Sequence, residues 1–358
     1  MRPAYQMLMV LFCCSSVPAC SQLAFAQQRT STPQVTLGPV VHAISLDVVV
    51  TDKSGNPVPG LQPQDFTLLD DKQPQTIRSF HAIDETTQAA DAPQEVFLLV
   101  DAVNTSFQSA SLVRQQLEKF LRQDGGHLSV PMSLIFLTDT SQGQVPPSRD
   151  GIALADALKA HETGLRSLGN SGGFQGELDR FQISLKGLER LVSHLATEPG
   201  RKLVVWLSPG WPLLSGARVH ISAKDQEALF NRVVHLSTAL REARITLYGV
   251  DPLGVAEAGS FRAFYYESFL KGVTSADKVQ SGHLGLQVLA VQSGGRVLTS
   301  NNDLESSIAS CLLDARAYYT LSFESPRADH PNEYHDLQIK IGKPGLTART
   351  QTGYYAQK

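Results

Sequence analysis

Asp101 is the residue whose type and position are best suited to chemistry. It follows the apolar run Phe97 to Val100 and precedes a polar loop, a pattern typical of a strand buried on both faces of a sheet. In open α/β sheets the binding site lies at the carboxyl ends of the strands, so this carboxylate is expected at the binding edge. The structural alternative is that Asp101 accepts hydrogen bonds from loop N–H groups, as an Asx-turn or a helix cap.

The stretch 169–173, Gly-Asn-Ser-Gly-Gly, is a second candidate, because it matches the G-x-S-x-G pattern of serine hydrolases. That pattern needs a buried strand directly before the serine, whereas residues 163–168 are short and polar. The sequence therefore favours a flexible loop, and a hydrolase that uses Ser171 is the disfavoured interpretation. No nucleophile, base and orienting group stand in a credible context, so we expect a protein that is not an enzyme.

The elements that must position Asp101 alternate between strands and helices. Short apolar runs predict strands at 95–101, 130–137, 202–207, 245–251 and 296–299, and apolar stripes predict helices near 112–121, 151–161, 181–195, 222–240, 286–291 and 303–315. This alternation over residues 94–315 predicts an α/β fold with a doubly wound, mostly parallel sheet.

Both flanks of this region are rich in short strands separated by turn residues. The N-terminal β segment covers residues 38–84, with strands predicted at 41–51, 65–71 and 75–82, and a polar stretch follows it. The C-terminal β segment covers residues 316–358, with strands predicted at 317–323, 334–341 and 346–355. Each segment alone is too small for a comfortable hydrophobic core, and pairing the two would close their strand edges. We therefore expect them to form one β-sandwich, with the α/β domain inserted between them.

Residues 1–26 have the features of a secretory signal peptide, with an apolar core at Met7 to Cys14 and a small-residue cleavage site at Ala24 to Ala26. Residues 27–37 are predicted to be a linker. The alternative is a lipoprotein signal that ends at Cys20, which would then carry a lipid anchor. Both interpretations predict export to the periplasm, the cell envelope or the medium.

The composition narrows the class of protein further. The sequence is 42% hydrophobic and 18% charged, with a net charge of −3, which indicates a globular protein without a strong attraction to nucleic acid or anionic lipid. No apolar run beyond the signal region is long enough to span a membrane. Cleavage after Ala26 would leave Cys311 as the one cysteine, on an apolar helix face where it is predicted to be a core residue.

The chain resembles a known family over residues 38–356. The α/β region resembles a von Willebrand factor type A domain, and the whole resembles the bacterial VWFA-related proteins of the acidobacterial type. The stretches that carry the resemblance are LDVVVTDKSGNPVPG at 46–60, FLLVDAVNT at 97–105, PGRKLVVWLSPG at 199–210, ITLYGVD at 245–251, and the tyrosine pairs at 318–319 and 354–355.

The resemblance implies a divalent cation, usually Mg²⁺, at the carboxyl edge of the sheet. Its ligands in this sequence would be Asp101, Asn104, Thr105 and Ser208. Two positions depart from the family pattern, since Val103 cannot ligate and Pro209 stands where an aspartate is expected. The expected site is therefore a degenerate metal-ion-dependent adhesion site.

The resemblance also implies a protein that binds and adheres. We expect an exported, non-enzymatic module that contacts a protein partner through its loops, including the loop that holds Asn170, Ser171, Gly172 and Gly173. An assembly or structural component of the cell envelope is the first alternative, and the Ser171 hydrolase is the second.

Overall fold

The computed structural model describes residues 43–84, 94–105, 107–139, 142–161, 173–212, 222–252, 266–299 and 303–357. The predicted signal peptide and linker, Cys20 and the loop residues 170–172 lie outside these ranges. Within the described residues, no helix combines the length and the apolar character needed to cross a bilayer.

Fourteen strands and six helices are described in these ranges. The strands are β1 (Ala43–Thr51), β2 (Phe66–Asp70), β3 (Gln73–Gln75), β4 (Ser79–Asp84), β5 (Gln94–Asp101), β6 (His127–Leu137), β7 (Gln142–Asp150), β8 (Arg201–Leu207), β9 (Ile245–Asp251), β10 (Val297–Thr299), β11 (Ala317–Glu324), β12 (Glu333–Ile341), β13 (Thr347–Arg349) and β14 (Gly353–Ala356). The helices are α1 (Phe107–Leu121), α2 (Gly151–Ala160), α3 (Gly173–Leu195), α4 (Ala223–Glu242), α5 (Leu286–Gln292) and α6 (Leu304–Leu313).

The central sheet has six strands in the order β10-β9-β8-β5-β6-β7. All neighbours are parallel except β7, which runs antiparallel to β6 at the edge. Helices cover both faces, because Phe97 and Leu99 of β5 pack in one core with α3, α4 and α5, while Leu98 packs in a second core with α1, α2 and α6. The prediction of an α/β fold with a mostly parallel sheet is confirmed.

Two further sheets, which we call the β unit, bring the two flanking segments together. Their orders are β13-β1-β11-β4 and β14-β12-β2-β3, so each sheet contains strands from both ends of the described chain. β1 pairs antiparallel with β11, and β2 pairs antiparallel with β12. Leu46, Leu68, Leu321 and Ile339 of these four strands lie in one hydrophobic core.

The β unit lies against the amino ends of the central strands. Arg201, at the start of β8, is buried with its guanidinium 4.5 Å from the ring centre of Tyr318 in β11. Arg244, just before β9, forms an ion pair with Asp47 of β1 at 2.6 Å. The carboxyl ends of the central strands therefore point away from the β unit.

Local differences from the sequence-based expectations have physical reasons. β7 was not predicted, because it is a largely exposed edge strand that contains Pro146 and Pro147 and has no apolar alternation. The strand expected at 75–82 is divided between β3 and β4, which lie in different sheets. The strand expected at 346–355 is likewise divided into β13 and β14.

Candidate functional site

The strand order places a crevice between the carboxyl ends of β5 and β8. From β5 the chain continues on one side through β6 and β7, and it then crosses to the other side through β8, β9 and β10. Ligands bind at such topological switch points in open α/β sheets. Asp101 ends β5, and Ser208 directly follows β8, so two of the four expected metal ligands flank this crevice.

Asp101 is the centre of a closed hydrogen-bond network, here called the Asp101 network. Its side chain is 1% exposed. Oδ1 accepts hydrogen bonds from the backbone N–H groups of Val103 at 2.9 Å and Asn104 at 3.0 Å. Oδ2 accepts from Asn104 Nδ2 at 2.8 Å and from the indole Nε1 of Trp206 at 2.9 Å. The carboxylate thus orders the loop after β5 and ties it to β8.

Trp206 reaches Asp101 because it stands beside β5 in the sheet. It is fully buried near the end of β8, where it pairs with Leu99 in the parallel register. Its ring lies edge-on to that of Trp211, with 5.4 Å between the centroids, and the ring of Phe181 in α3 lies edge-on to that of Trp211. These three rings form an aromatic cluster that supports the crevice.

The Asp101 network extends to α3 through Asn104. Nδ2 of Asn104 also donates to Oγ of Ser184 at 2.7 Å, and Ser184 in turn donates to the backbone carbonyl of Arg180. Neither Trp206 nor Ser184 was predicted to take part in the site. The one available signal was a tryptophan inside an apolar strand, since a buried indole N–H needs an acceptor.

The Asp101 carboxylate does not fit a Mg²⁺ ligand. A carboxylate offers about four lone-pair positions, and here four N–H donors occupy them. Oγ of Ser208 accepts from the N–H of Gly210 at 3.1 Å. Among the four expected ligands, Asn104 and Thr105 each have one buried oxygen, Oδ1 and Oγ1, without a hydrogen-bond partner, and two neutral oxygens are far from the octahedral shell that Mg²⁺ prefers. The cation stays a prediction.

A cleft of about 150 Å³ lies beside the Asp101 network, at the carboxyl ends of β8, β9 and β10. Its lining combines polar side chains such as Ser208, Glu267 and Gln287 with apolar ones such as Leu286. Gly210 lies beside this cleft and has a φ of +99°. A Cβ atom at this position would lie 2.0 Å from the side-chain nitrogen of Gln287. Ser208 thus belongs both to the crevice and to the cleft.

The predicted partner-binding loop is described at one position only. Gly173 is exposed and opens α3 with φ +51°, a conformation that glycine adopts without strain. Asn170, Ser171 and Gly172 lie outside the described residues, as does Cys20. Cys311 is fully buried in α6, and burial raises the pKa of its thiol to about 12, as expected for a core residue.

Comparisons with known proteins give distant likenesses only. No family model and no curated protein matches this chain. It is similar to the structure of an aerotolerance-related membrane protein from Bacteroides fragilis, with 12% identity, 62% of this chain and 98% of that chain covered, and a TM-score of 0.34. It is also similar to the pilus adhesin SpaC from Lactobacillus rhamnosus, with 10% identity, 84% of this chain and 49% of that chain covered, and a TM-score of 0.34. For BatB from Bacteroides thetaiotaomicron the identity is 11%, 63% of this chain and 98% of that chain are covered, and the TM-score is 0.32. Scores this low carry no argument, so the function is argued from the residues.

Proposed function

We propose that this chain is an exported, non-enzymatic module that binds a protein partner through the carboxyl edge of its central sheet. In this proposal residues 94–315 form a type A-like domain, and the β unit is its base. The observation that carries the proposal is the unequal use of the two sheet edges. The amino edge packs on the β unit, whereas the carboxyl edge holds a small cleft beside the ordered Asp101 network.

Binding is favoured over catalysis by the state of Asp101. A general base needs a lone pair within hydrogen-bond reach of the proton that it removes. Both oxygens of this carboxylate are already engaged by N–H donors, and the side chain is shielded from solvent. Asp101 therefore supports the shape of the edge and takes no part in proton transfer.

A protein partner is favoured over a small molecule by the size of the cleft. Pockets for small ligands typically enclose about 300–1,000 Å³, whereas this cleft has a volume of about 150 Å³. Glu267 and Thr299 stand exposed at its rim. A small cleft with a mixed polar and apolar lining suits single side chains from a protein surface, with hydrogen bonds around the rim.

The test is retention of partners by the immobilised exported chain. Envelope and extracellular proteins are passed over the wild type, over Glu267→Arg, and over Glu227→Arg, which reverses an equally exposed charge on α4. We expect at least one protein to be retained by the wild type and the control, and to be retained at least tenfold less by Glu267→Arg. Equal retention by all three chains, or no specific retention, would refute the proposal.

The same experiment separates the alternatives. A retained envelope protein would favour the assembly role, and a retained extracellular protein would favour adhesion. The hydrolase is tested with a panel of ester, amide and glycoside substrates on the wild type and on Ser171→Ala. We expect no turnover by either chain, and turnover that Ser171→Ala abolishes would establish the hydrolase instead.

A further inference from the structure

A group of metal-ligating side chains lies in the β unit, remote in sequence from the Asp101 network. It consists of Asp70, Asp71 and His335, whose ligand atoms all lie within 4.8 Å of one another. Nδ1 of His335 is 2.9 Å from Oδ1 of Asp70 and 3.5 Å from Oδ2 of Asp71. The two aspartates belong to the N-terminal segment and the histidine to the C-terminal segment.

The turn after β2 is what brings both carboxylates to one histidine. Consecutive residues of a strand point to opposite faces, but Asp71 leaves the strand with φ +46°. The N–H of Asp71 donates to the carbonyl of Asp336, which fixes the turn against β12 beside His335.

Each carboxylate is oriented by a second hydrogen bond on its other oxygen. Tyr354 donates its hydroxyl proton to Oδ2 of Asp70 at 2.7 Å. The N–H of Asp336 donates to Oδ1 of Asp71 at 3.0 Å. Outer hydrogen bonds of this kind orient the carboxylates of metal sites. The remaining oxygens, Oδ1 of Asp70 and Oδ2 of Asp71, converge on the imidazole.

The charges of the group do not balance without a cation. Among the described residues, the ion pairs of Asp70 and Asp71 are both with His335. One imidazole supplies at most one positive charge against two carboxylates. Asp70 is almost completely buried, and a buried carboxylate needs compensation for its charge.

We propose that Asp70, Asp71 and His335 bind a divalent transition-metal ion, with Zn²⁺ as the best fit. Zn–N and Zn–O bonds of about 2.0–2.1 Å in a tetrahedral site separate the ligand atoms by roughly 3.3 Å, and the two measured distances lie on either side of that value. The side chain of Asp71 is 55% exposed, so a water molecule from the solvent can complete the shell.

The ion takes the lone pair of Nδ1, and the single ring proton then resides on Nε2. Because that N–H has no acceptor, the site binds more weakly than a closed four-ligand zinc site. It joins residues 265 positions apart and so fastens the two segments of the β unit to each other. The only cysteine among the described residues is Cys311, so no disulfide within them can do this.

The test uses the full chain, freed of metal with a chelator, and titrated with Co²⁺ and then Zn²⁺. Asp71→Asn removes an exposed ligand, and asparagine tolerates the left-handed conformation at this position. Asp329→Asn is the matched control, because it removes an equal charge from an exposed position of the β unit, between β11 and β12. We expect one saturable equivalent of Co²⁺ with the visible absorption of a tetrahedral site, and its displacement by Zn²⁺. Affinity should fall at least tenfold in Asp71→Asn and stay within twofold in Asp329→Asn.

Circular dichroism confirms that each variant is folded before it is titrated. Three outcomes would overturn the proposal. They are no saturable binding by the wild type, unchanged affinity in Asp71→Asn, and an equal loss in Asp329→Asn, which would indicate a general charge effect instead of coordination.

Discussion

At the scale of single residues, Asp101 shows how a strand-end carboxylate can be wholly structural. Its two oxygens accept from two loop N–H groups, one carboxamide and one indole. Hydrogen bonds to a charged group are stronger than those between neutral groups. The residue therefore fixes both the conformation of the loop and its distance from β8.

Replacing Trp206 with phenylalanine tests the indole's share of the Asp101 network. The variant removes the donor to Oδ2 of Asp101 and keeps most of the ring packing. We expect the free energy of unfolding to fall by about 1.5–3 kcal/mol, measured by urea denaturation. Trp211→Phe is the control, since the Nε1 of Trp211 is buried without a partner and its loss should have little effect. Equal destabilisation by both variants would show that the hydrogen bond is unimportant.

The response of the carboxyl edge of the central sheet to metal is a second prediction at this scale. Because Asp101 has no free lone pair, Mg²⁺ should not bind there and should leave the stability of the protein unchanged. We expect the same Tm for Asp71→Asn in EDTA and in Mg²⁺; this background excludes the site proposed in the β unit. A ligand at 100 times its Kd would add about 2.7 kcal/mol. A Mg²⁺-dependent rise in Tm that Asp101→Ala abolishes would restore the metal-dependent interpretation.

At the scale of elements, the strands of the central sheet were the most predictable parts of the chain. β9 begins and ends at the predicted residues. The helix predicted to begin at Ser222 is α4, and Ser222 is its N-cap, with a side chain that accepts from the N–H of Asp225. Continuous apolar runs and capping residues are local signals. The division of residues 73–84 between β3 and β4 depends instead on distant partners, so no local pattern reveals it.

The candidate site was predictable only in part, for a similar reason. The position of Asp101 at a strand end follows from the pattern of its own segment. Its partner Trp206 lies on β8, and Ser184, the partner of Asn104, lies on α3, so only the assembled fold brings them to the loop. The sequence therefore predicts which residue ends a strand. The role of that residue depends on neighbours that are about 80 and 105 positions away in the chain.

The position of Glu95, where β5 pairs with β6, gives a prediction about how the stability of the protein depends on pH. Glu95 on β5 accepts a hydrogen bond from Ser133 on β6, yet burial raises the pKa of Glu95 above its ordinary value of 4.5, and the Ser133 bond offsets this only in part. A carboxyl whose pKa is raised by folding contributes stability below pH 4.5 that is lost as the pH rises through the folded-state pKa. Glu95→Gln should therefore gain stability relative to the wild type as the pH rises from 4 to 7.

The measurement for Glu95→Gln is a urea titration at each pH. We expect the variant and the wild type to differ little at pH 4 and the variant to be more stable at pH 7. Glu227→Gln, at an exposed position, should show no such trend. A difference between variant and wild type that does not change with pH would contradict the assignment.

At the scale of the whole molecule, the α/β region and the β unit share part of their cores. Tyr355 of β14 lies in the same hydrophobic core as α3 and α4, and its hydroxyl donates to the carbonyl of Val273. Arg349 of β13 forms an ion pair with Asp314, directly after α6, at 2.7 Å. The β unit is therefore part of the structural support of the central sheet.

Removal of the β unit should unfold the remainder. We expect residues 94–315, expressed alone, to show no cooperative thermal transition by circular dichroism, because Arg201 and the core around Tyr355 lose their cover. Co-expression of residues 43–84 and 316–358 as separate chains should yield an associated pair. A soluble, cooperatively melting 94–315 chain, together with flanks that never associate, would refute the predicted domain organisation.

The pairing of β1 with β11 also determines when the chain can fold during synthesis. Asp47 and its partner Thr320 are 273 residues apart. At roughly 5–20 residues per second, a ribosome needs about 15–55 s to travel between them. Through that interval β1 lacks both of its partners, β11 and β13, and β2 has only the three-residue β3, so their open edges are exposed to aggregation. Because the β unit cannot form until its final strands have been synthesised, the chain stays extended for that time. An extended chain is suited to translocation across a membrane.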